Sequence, residues 1–236
     1  MRLDKFVCKS TELSRNEAIQ HIHKGDVSVN GDVIVNEAAQ VHENNHITLN
    51  SDHLEMRDFR YLLVHKAPNT ICSNVDEAYP SIFTDLDLAD VSELHIAGRL
   101  DADTTGLVFV TDDGRWSFNI TRPSRQCKKV YRVGLSRPVK DGVAARFSAG
   151  IQLQGEEKLT LPAELELISD KEVLLTITEG RYHQVKRMFV AVGNRVVSLH
   201  REKIGDVTLD VEQGQWRHLT CSEVNSFRRD TVSKTE

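Results

Sequence analysis

The sequence predicts an α+β protein in two parts: a small αα-hairpin domain over residues 1–50, then a mixed, mainly antiparallel β-sheet with flanking helices over residues 59–227. Three features carry that prediction. A helix-capping signature and an Asn-Gly turn lie close together in the first fifty residues, ahead of a polar, unpatterned stretch at 51–58 that reads as a linker. Beyond it, apolar runs of strand length recur, several with a period of two. Among them stands one helical face, Val185, Met188, Phe189 and Val192. At 236 residues the chain can hold one ordinary domain and a small one.

The elements follow in order. Leu3, Phe6 and Val7 fit one face of a short helix. Ser14-Arg15-Asn16-Glu17 has the spacing of a capping box, and the helix it opens buries Ala18, Ile19 and Ile22 before stopping at Gly25. Val27 and Val29, the turn Asn30-Gly31, and Val33 and Val35 then read as a hairpin, with Ile47 and Leu49 as a further strand. Tyr61 to Lys66 is a strand that must end at Lys66-Ala67-Pro68. The acidic stretch 76–94 reads as loop and a short helix. Leu107 to Val110 is a buried strand closed by the turn Asp113-Gly114, and Trp116 to Ile120 a helix ended by Pro123. Lys129 to Val133 alternates, with Tyr131 on the face opposite Val130 and Arg132. Residues 153–167 and 173–177 alternate like antiparallel strands. A helix through Val192 ends at Gly193; 196–199 and 207–211 are strands, and 228–236 is a polar, flexible tail.

Composition narrows the function classes. The chain is 39% hydrophobic and 28% charged, as in a soluble globular protein, and no apolar run approaches the ~20 residues that cross a bilayer. The start Met1-Arg2-Leu3-Asp4-Lys5 has no signal-peptide core behind it, so a cytoplasmic location is expected. Cys8, Cys72, Cys127 and Cys221 lie far apart and read as reduced thiols; neither they nor the ten histidines have metal-ligand spacing, so no metal is expected. The net charge of −5 hides segregation. Residues 122–140 hold Arg122, Arg125, Lys128, Lys129, Arg132, Arg137 and Lys140 with no acid, and residues 181–203 hold six bases against Glu202. Such runs make a local positive field suited to nucleic acid, although a solvated basic face is the commoner outcome for each alone.

The segment with the most chemistry is Gly98-Arg99-Leu100-Asp101-Ala102-Asp103-Thr104-Thr105-Gly106-Leu107. Two glycines bracket a polar loop that presents carboxylates from the edge of a buried strand, a placement that suits catalysis. Read from residue types alone, a turn whose Asp and Thr side chains bond their own backbone is the commoner explanation. The wording of the loop decides further: it resembles the signature loop of the pseudouridine synthases, in the branch that modifies ribosomal RNA. Tyr61 to Pro68, Lys129-Val130-Tyr131-Arg132-Val133, Gly180 to Met188, and Gly214 to Thr220 resemble that family's other motifs in the family's order. Residues 1–48 resemble the S4 RNA-binding domain, through Leu13-Ser14-Arg15 and Gly25-Asp26-Val27-Ser28-Val29-Asn30-Gly31.

What the resemblance implies is specific. Asp101 would be the catalytic carboxylate and Lys186 its basic partner. Helical spacing agrees, because Lys186 flanks the apolar face while His183 and Arg187 point nearly opposite it. Tyr131, ordinarily a core residue, would lie against the target base in a pocket with Val185 and Leu199. Arg99 would steady the opened strand. Arg2, Lys5 and Arg15 on the helical side of the small domain, and Lys66, Arg122, Arg125, Lys128, Lys129, Arg181 and Arg187, would contact RNA; for Lys66 a plain strand-end surface charge is equally weighted. No cofactor is implied, because breaking N1–C1′ and rejoining through C5 adds and removes nothing. The implied partner is 16S ribosomal RNA or a small-subunit assembly particle, acted on by a monomer with no membrane role. Two other readings are a non-catalytic RNA-binding or ribosome-assembly module, and a glycosidase, for which Asp103 is the nearest second carboxyl.

Overall fold

A computed structural model of the chain describes residues 1–42, 44–84, 86–88, 91 and 93–228. Glu43, Asp85 and Asp90 of the acidic segments, and residues 229–236 of the expected tail, lie outside the described residues. The chain divides into two units, Met1–Asp58 and Phe59–Glu236.

In the first unit the capping box forms as the sequence dictates. The Ser14 hydroxyl accepts from the Glu17 amide and the Glu17 carboxylate accepts from the Ser14 amide, so α2 (Arg15–Lys24) follows α1 (Leu3–Ser10) and stops at Gly25 in the left-handed region. Asn30 and Gly31 both have positive φ, as a type I′ turn requires, and join β1 (Val27–Val29) to β2 (Asp32–Val33). The hairpin is shorter than expected: Val33 and Val35 are exposed, and Ile19 is only half-buried. β3 (Ile47–Leu49) pairs with β4 (Asp52–His53), giving the order β2-β1-β3-β4. The stretch 51–58 is therefore not a plain linker. Its first residues return as a strand and bury Leu54 in the small core of Leu3, Phe6, Val7, Ala18, Ile22 and Ile47.

The second unit is a nine-stranded sheet. Its elements are β5 (Tyr61–Lys66), β6 (His95–Ala97), β7 (Thr105–Thr111), α3 (Gly114–Thr121), a 3-10 turn at Pro123–Arg125, β8 (Lys129–Leu135), α4 (Val143–Ser148), β9 (Glu164–Ser169), β10 (Glu172–Ile177), α5 (Gln184–Ala191), β11 (Val196–Ile204), β12 (Val207–Thr208), β13 (Trp216–His218) and α6 (Cys221–Ser226). The strand order is β13-β5-β7-β11-β8-β10-β9, with β6 on β7 and β12 on β11. Among these pairs β7 and β11 are parallel, and the rest are antiparallel. This is the mixed, mainly antiparallel sheet that the sequence predicts.

Both faces of the central strands are covered, which explains why their sequences read as continuous apolar runs. Leu62, Val64, Val108, Val110 and Val133 face one core, under α4 and α5; Leu63, Leu107 and Phe109 face the other, under α3 and α6. Several expectations fail locally. Residues 76–94 form no helix among the described residues, but bury Ile82, Phe83, Leu86 and Leu94 in the main core. The alternation from 153 becomes a strand only at Glu164, because Ile151 and Leu153 dock as loop residues against Phe147 and its neighbours. α4 and β6 have no strong sequence signal, whereas α6 carries one: Thr220 and Glu223 form a second capping box.

The parallel contact between β7 and β11 is unusually close. Gly106, at φ +112°, pairs with Arg201, and a Cβ built on Gly106 would run into the backbone of Arg201. Gly98 also has positive φ but faces open space. Gly106→Ala should therefore lower the unfolding free energy by roughly 3 kcal/mol or more, combining overpacking with backbone strain, while Gly98→Ala loses about 1–2 kcal/mol from strain alone. Urea denaturation of the two variants measures the difference, and equal losses would contradict the close approach.

Candidate active site

The loop 98–105 leads into β7 beside the middle of β11, and three anchors set its shape. Lys66, at the end of β5, is 1% exposed. Its ammonium donates to the carbonyls of Ala67 at 3.0 Å, Ala102 at 3.1 Å and Thr104 at 2.8 Å. Arg201 is also 1% exposed; it donates from Nε to Leu107 O at 2.7 Å and from Nη2 to Gly98 O at 2.7 Å. The Thr105 hydroxyl bonds His200 Nδ1 at 2.8 Å, and inside the loop the Thr104 amide closes a turn on Asp101 O at 3.0 Å. The loop is held by side chains from β5 and β11, at both of its ends and in its middle.

Asp101 is presented from this frame with its side chain 30% exposed. Lys186, on the first turn of α5, reaches it: Nζ lies 2.8 Å from Asp101 Oδ2 and 2.6 Å from Asp103 Oδ1. Burial pushes Lys186 down, but the bonds and charges of the two carboxylates outweigh it and hold its pKa above the ordinary lysine value. Burial raises Asp103, and the Lys186 bond and charge reverse that, leaving Asp103 below the usual carboxylate range. His183 Nε2 lies 3.4 Å from Asp101 Oδ1. The sequence reading pointed His183 away from the site; it assumed helical geometry, whereas His183 sits in the left-handed region at φ 48°, ahead of the helix, with its ring stacked on Tyr182 at 3.8 Å.

Beneath the carboxylate is a cavity of about 170 Å³, lined by Gly98, Arg99, Asp101, Lys129, Tyr131 and Ile177, and on the α5 side by Arg181, Val185 and Lys186, with Leu199 and Arg201 below. A cavity of ~150 Å³ is enough for a benzene-sized ring, so this one is scaled to a single flat base. The structure thus brings together Asp101, Lys186, Tyr131, Val185 and Leu199, all five of the residues expected at the centre. Tyr131 is buried, and its hydroxyl accepts from Arg201 Nη1 at 3.2 Å. Arg201, like His183, is a residue that sequence reasoning missed at this site. The basic run around it is visible, but nothing in a run tells a buried arginine from a solvated one.

The expected RNA-contacting residues divide. Arg99 is exposed at the cavity rim, with no hydrogen-bond or ion-pair partner among the described residues, and Lys5 is exposed. Lys128 is exposed and pairs with exposed Glu164 at 3.2 Å; Arg122 lies over the Phe118 ring at 5.2 Å; Arg125 is half-buried in the 3-10 turn. Others are buried or bonded to partners within the fold. Lys66 is buried and spends its donors on the loop. Lys129 is buried and turns into the cavity, because it shares the inward face of β8 with Tyr131. Arg181 is held by Glu179 at 3.1 Å and by the carbonyls of Lys158 and Leu159. Arg187, half-buried, meets Glu156 at 2.9 Å and Gln154 O at 2.7 Å, and so ties that loop to α5. Arg2 and Arg15 both bond the fully buried carboxylate of Asp4, at 3.0 and 3.1 Å. Burial raises that carboxyl, and the two guanidiniums together hold it below its ordinary value. Among the described residues no cluster of three or more metal-ligating side chains occurs, and no helix is long and apolar enough to cross a membrane.

A carboxylate held by an ammonium over a ring-sized cavity, on a rigid frame, is arranged to attack or deprotonate a flat ring substrate. Comparison with known proteins bears on which substrate. The family model described as RNA pseudouridylate synthase matches residues 60–191. Ribosomal small subunit pseudouridine synthase A of Vibrio cholerae is 47% identical over 229 residues, spanning 96% of this chain and 99% of that protein. The protein of the same name from Haemophilus influenzae is 46% identical over 230 residues, with 96% and 99% covered. A crystal structure of a pseudouridylate synthase, 44% identical, matches with a TM-score of 0.71 over 96% of this chain and 99% of that one.

The frame makes its own prediction. Lys66→Met leaves three carbonyls without their donor, two of them in the loop; the unfolding free energy should fall by about 2–4 kcal/mol, because buried polar groups left unpaired carry their desolvation penalty. Amide exchange at residues 100–105 should rise at the same time. Unchanged exchange there would mean that the loop is held without the buried ammonium.

Proposed function

The chain belongs to the RNA pseudouridylate synthase family, and from that membership we propose that it converts one uridine of 16S ribosomal RNA to pseudouridine, with Asp101 as the catalytic carboxylate. The observation that carries the assignment of Asp101 is its place: bonded to Lys186 at 2.8 Å, over a cavity floored by Tyr131, Val185 and Leu199. Folded RNA hides the base in a stack, so the target nucleotide is flipped out, at a cost of a few kcal/mol in stacking. Arg99 at the rim is placed to hold the strand that this opens. Tyr131 offers a ring face to the base, and the Val185 and Leu199 side chains exclude water around it.

The reaction is an isomerisation. The N1–C1′ bond breaks, the uracil turns, C5 bonds to C1′, the C5 proton leaves and N1 gains one, so that no cofactor enters the balance. Lys186 donates to Asp101 Oδ2 at 2.8 Å, a charge-assisted bond that fixes where the carboxylate stands over the cavity. Asp103, exposed and on the same ammonium, takes a supporting part. Residues 1–50 act as an S4-like RNA-binding module, with Lys5 available to phosphates. Arg2 and Arg15 contribute less than their charge suggests, since Asp4 neutralises part of it. The substrate is 16S ribosomal RNA or a small-subunit assembly particle, and the protein acts as a cytoplasmic monomer.

Variants at three places separate this reading from its rivals. Asp101→Asn is isosteric and should keep RNA affinity while abolishing pseudouridine formation; product formed at the wild-type rate would favour a binding module over an enzyme. Lys186→Met should lower the rate by about 10²-fold or more, the scale of removing one charged group that stabilises a reacting centre, with the fold intact by circular dichroism. Near-normal turnover would move the partner role to His183. Deleting the whole first unit, residues 1–58, should weaken RNA binding and flatten its dependence on salt, and an unaltered salt slope would remove the module from the RNA interface.

A further inference from the structure

Lys129 has a burial that the assignment of Asp101 leaves unexplained. It is 6% exposed, and its ammonium makes one hydrogen bond among the described residues, to Cys127 O at 3.1 Å. No carboxylate among them pairs with it. Burial pushes the Lys129 pKa below the ordinary lysine value; the Cys127 thiol opposes that shift, and the neighbouring Arg201 cation adds to it. Burying an ammonium without an anion costs several kcal/mol, and a methionine of the same length would pack there without that penalty. Yet Lys129 lies two residues before Tyr131 on the inward face of β8, and both side chains line the cavity. Two of its three N–H donors have no acceptor among the described residues.

The cavity is therefore polarised. Asp101 and the Lys186 ammonium form one pole, at the mouth. Lys129 and Arg201 form the other, with Tyr131 on the same strand and its hydroxyl on Arg201. Arg201 is pinned through all three of its nitrogens, Nε and Nη2 on backbone carbonyls and Nη1 on Tyr131, whereas the Lys129 ammonium is tethered by one bond; of the two buried cations Lys129 is the freer to turn a donor towards a ligand.

We propose that Lys129 is a further catalytic residue, which donates a hydrogen bond to a ring carbonyl of the flipped uracil and stabilises the negative charge that the base carries when the N1–C1′ bond breaks. This role rests on the assignment of the cavity as the uridine site of a pseudouridine synthase. In that step the bonding pair passes from C1′ to N1 and spreads over the ring to O2 and O4. C5 then forms its bond to C1′ and gives up its proton, N1 takes one, and the elements balance without a co-reactant. A neutral carbonyl is a modest partner for the ammonium and an anionic one is a strong partner. The interaction is thus stronger in the transition state than in the ground state, which is what accelerates a reaction. Burial magnifies the gain, since no water competes for the ammonium.

The test is a cycle that crosses one protein change with one atom change. Single-turnover rates at saturating RNA are measured for the wild type and Lys129→Met, on RNA carrying uridine, 2-thiouridine or 4-thiouridine at the target, because sulfur is a poor hydrogen-bond acceptor. Lys129→Met should slow the uridine reaction about 10²-fold with RNA affinity unchanged. At the carbonyl that Lys129 contacts, sulfur should slow the wild type but have little further effect in the variant; a purely structural lysine produces no such coupling. The 2-thio and 4-thio arms tell which oxygen is contacted. Should Lys129→Met fail to fold, Lys129→Gln is put through the same cycle and must show the same coupling, reduced in size. Additive penalties at both carbonyls overturn the proposal. Wild-type protein that forms no pseudouridine on uridine RNA would instead overturn the reading of the site, and this proposal with it.

Discussion

Everything at the site depends on how closely β7 and β11 run side by side. They are the parallel pair in a sheet that is otherwise antiparallel, and they meet at Gly106 and Arg201 with no room for a Cβ between them. That approach has two consequences. It sets the loop 98–105 directly against β11, so that His200 can bond Thr105 and Arg201 can bond the Gly98 carbonyl. It also places α5, which runs immediately ahead of β11, where Lys186 reaches the loop. A carboxylate can be held within a few tenths of an ångström only by groups that are themselves fixed, and here they belong to packed strands.

Three lysines around this loop show how context divides one side-chain chemistry into different tasks. Lys66 is buried and saturated by backbone carbonyls, and its job is mechanical. Lys186 is partly exposed and bonded to two carboxylates; it fixes the position of Asp101 and holds Asp103 below the usual carboxylate range against burial. Lys129 is buried with neither a carboxylate nor a full set of carbonyls among the described residues, a state that a ligand atom would complete. The whole chain carries a net charge of −5, but the inner surface of the cavity is set by cations. The sum over the sequence says little about the field where the substrate sits.

How much of this was legible in the sequence depends on what kind of signal each feature leaves. Local signals were reliable: the Ser14–Glu17 capping box, the Asn30-Gly31 turn and the inward face of α5 all formed as read, because neighbours along the chain satisfy them. The central residues Asp101, Tyr131, Val185, Lys186 and Leu199 came from motif resemblance, and the structure brings them to one cavity. Basic residues were the weak point. Lys66, Lys129, Arg181 and Arg187 looked like phosphate contacts, since a cation's partner comes from elsewhere in the chain: Ala102 and Thr104 for Lys66, Glu179 for Arg181, Glu156 for Arg187. Spacing cannot reveal such partners. His183 was misplaced for a related reason, as helical geometry was extended one residue past the point where the backbone leaves it. The Thr220–Glu223 capping box, by contrast, was readable and was overlooked.

The central claim is that this chain makes pseudouridine at a defined position of small-subunit ribosomal RNA through the Asp101 carboxylate. Mapping pseudouridine across ribosomal RNA from cells lacking the gene, and from the same cells carrying it again with or without Asp101, tests it most directly. One 16S uridine should stay unmodified in the deletion, be converted again by the wild-type gene, and remain uridine with Asp101→Asn. A pseudouridine pattern identical in all these strains would contradict it.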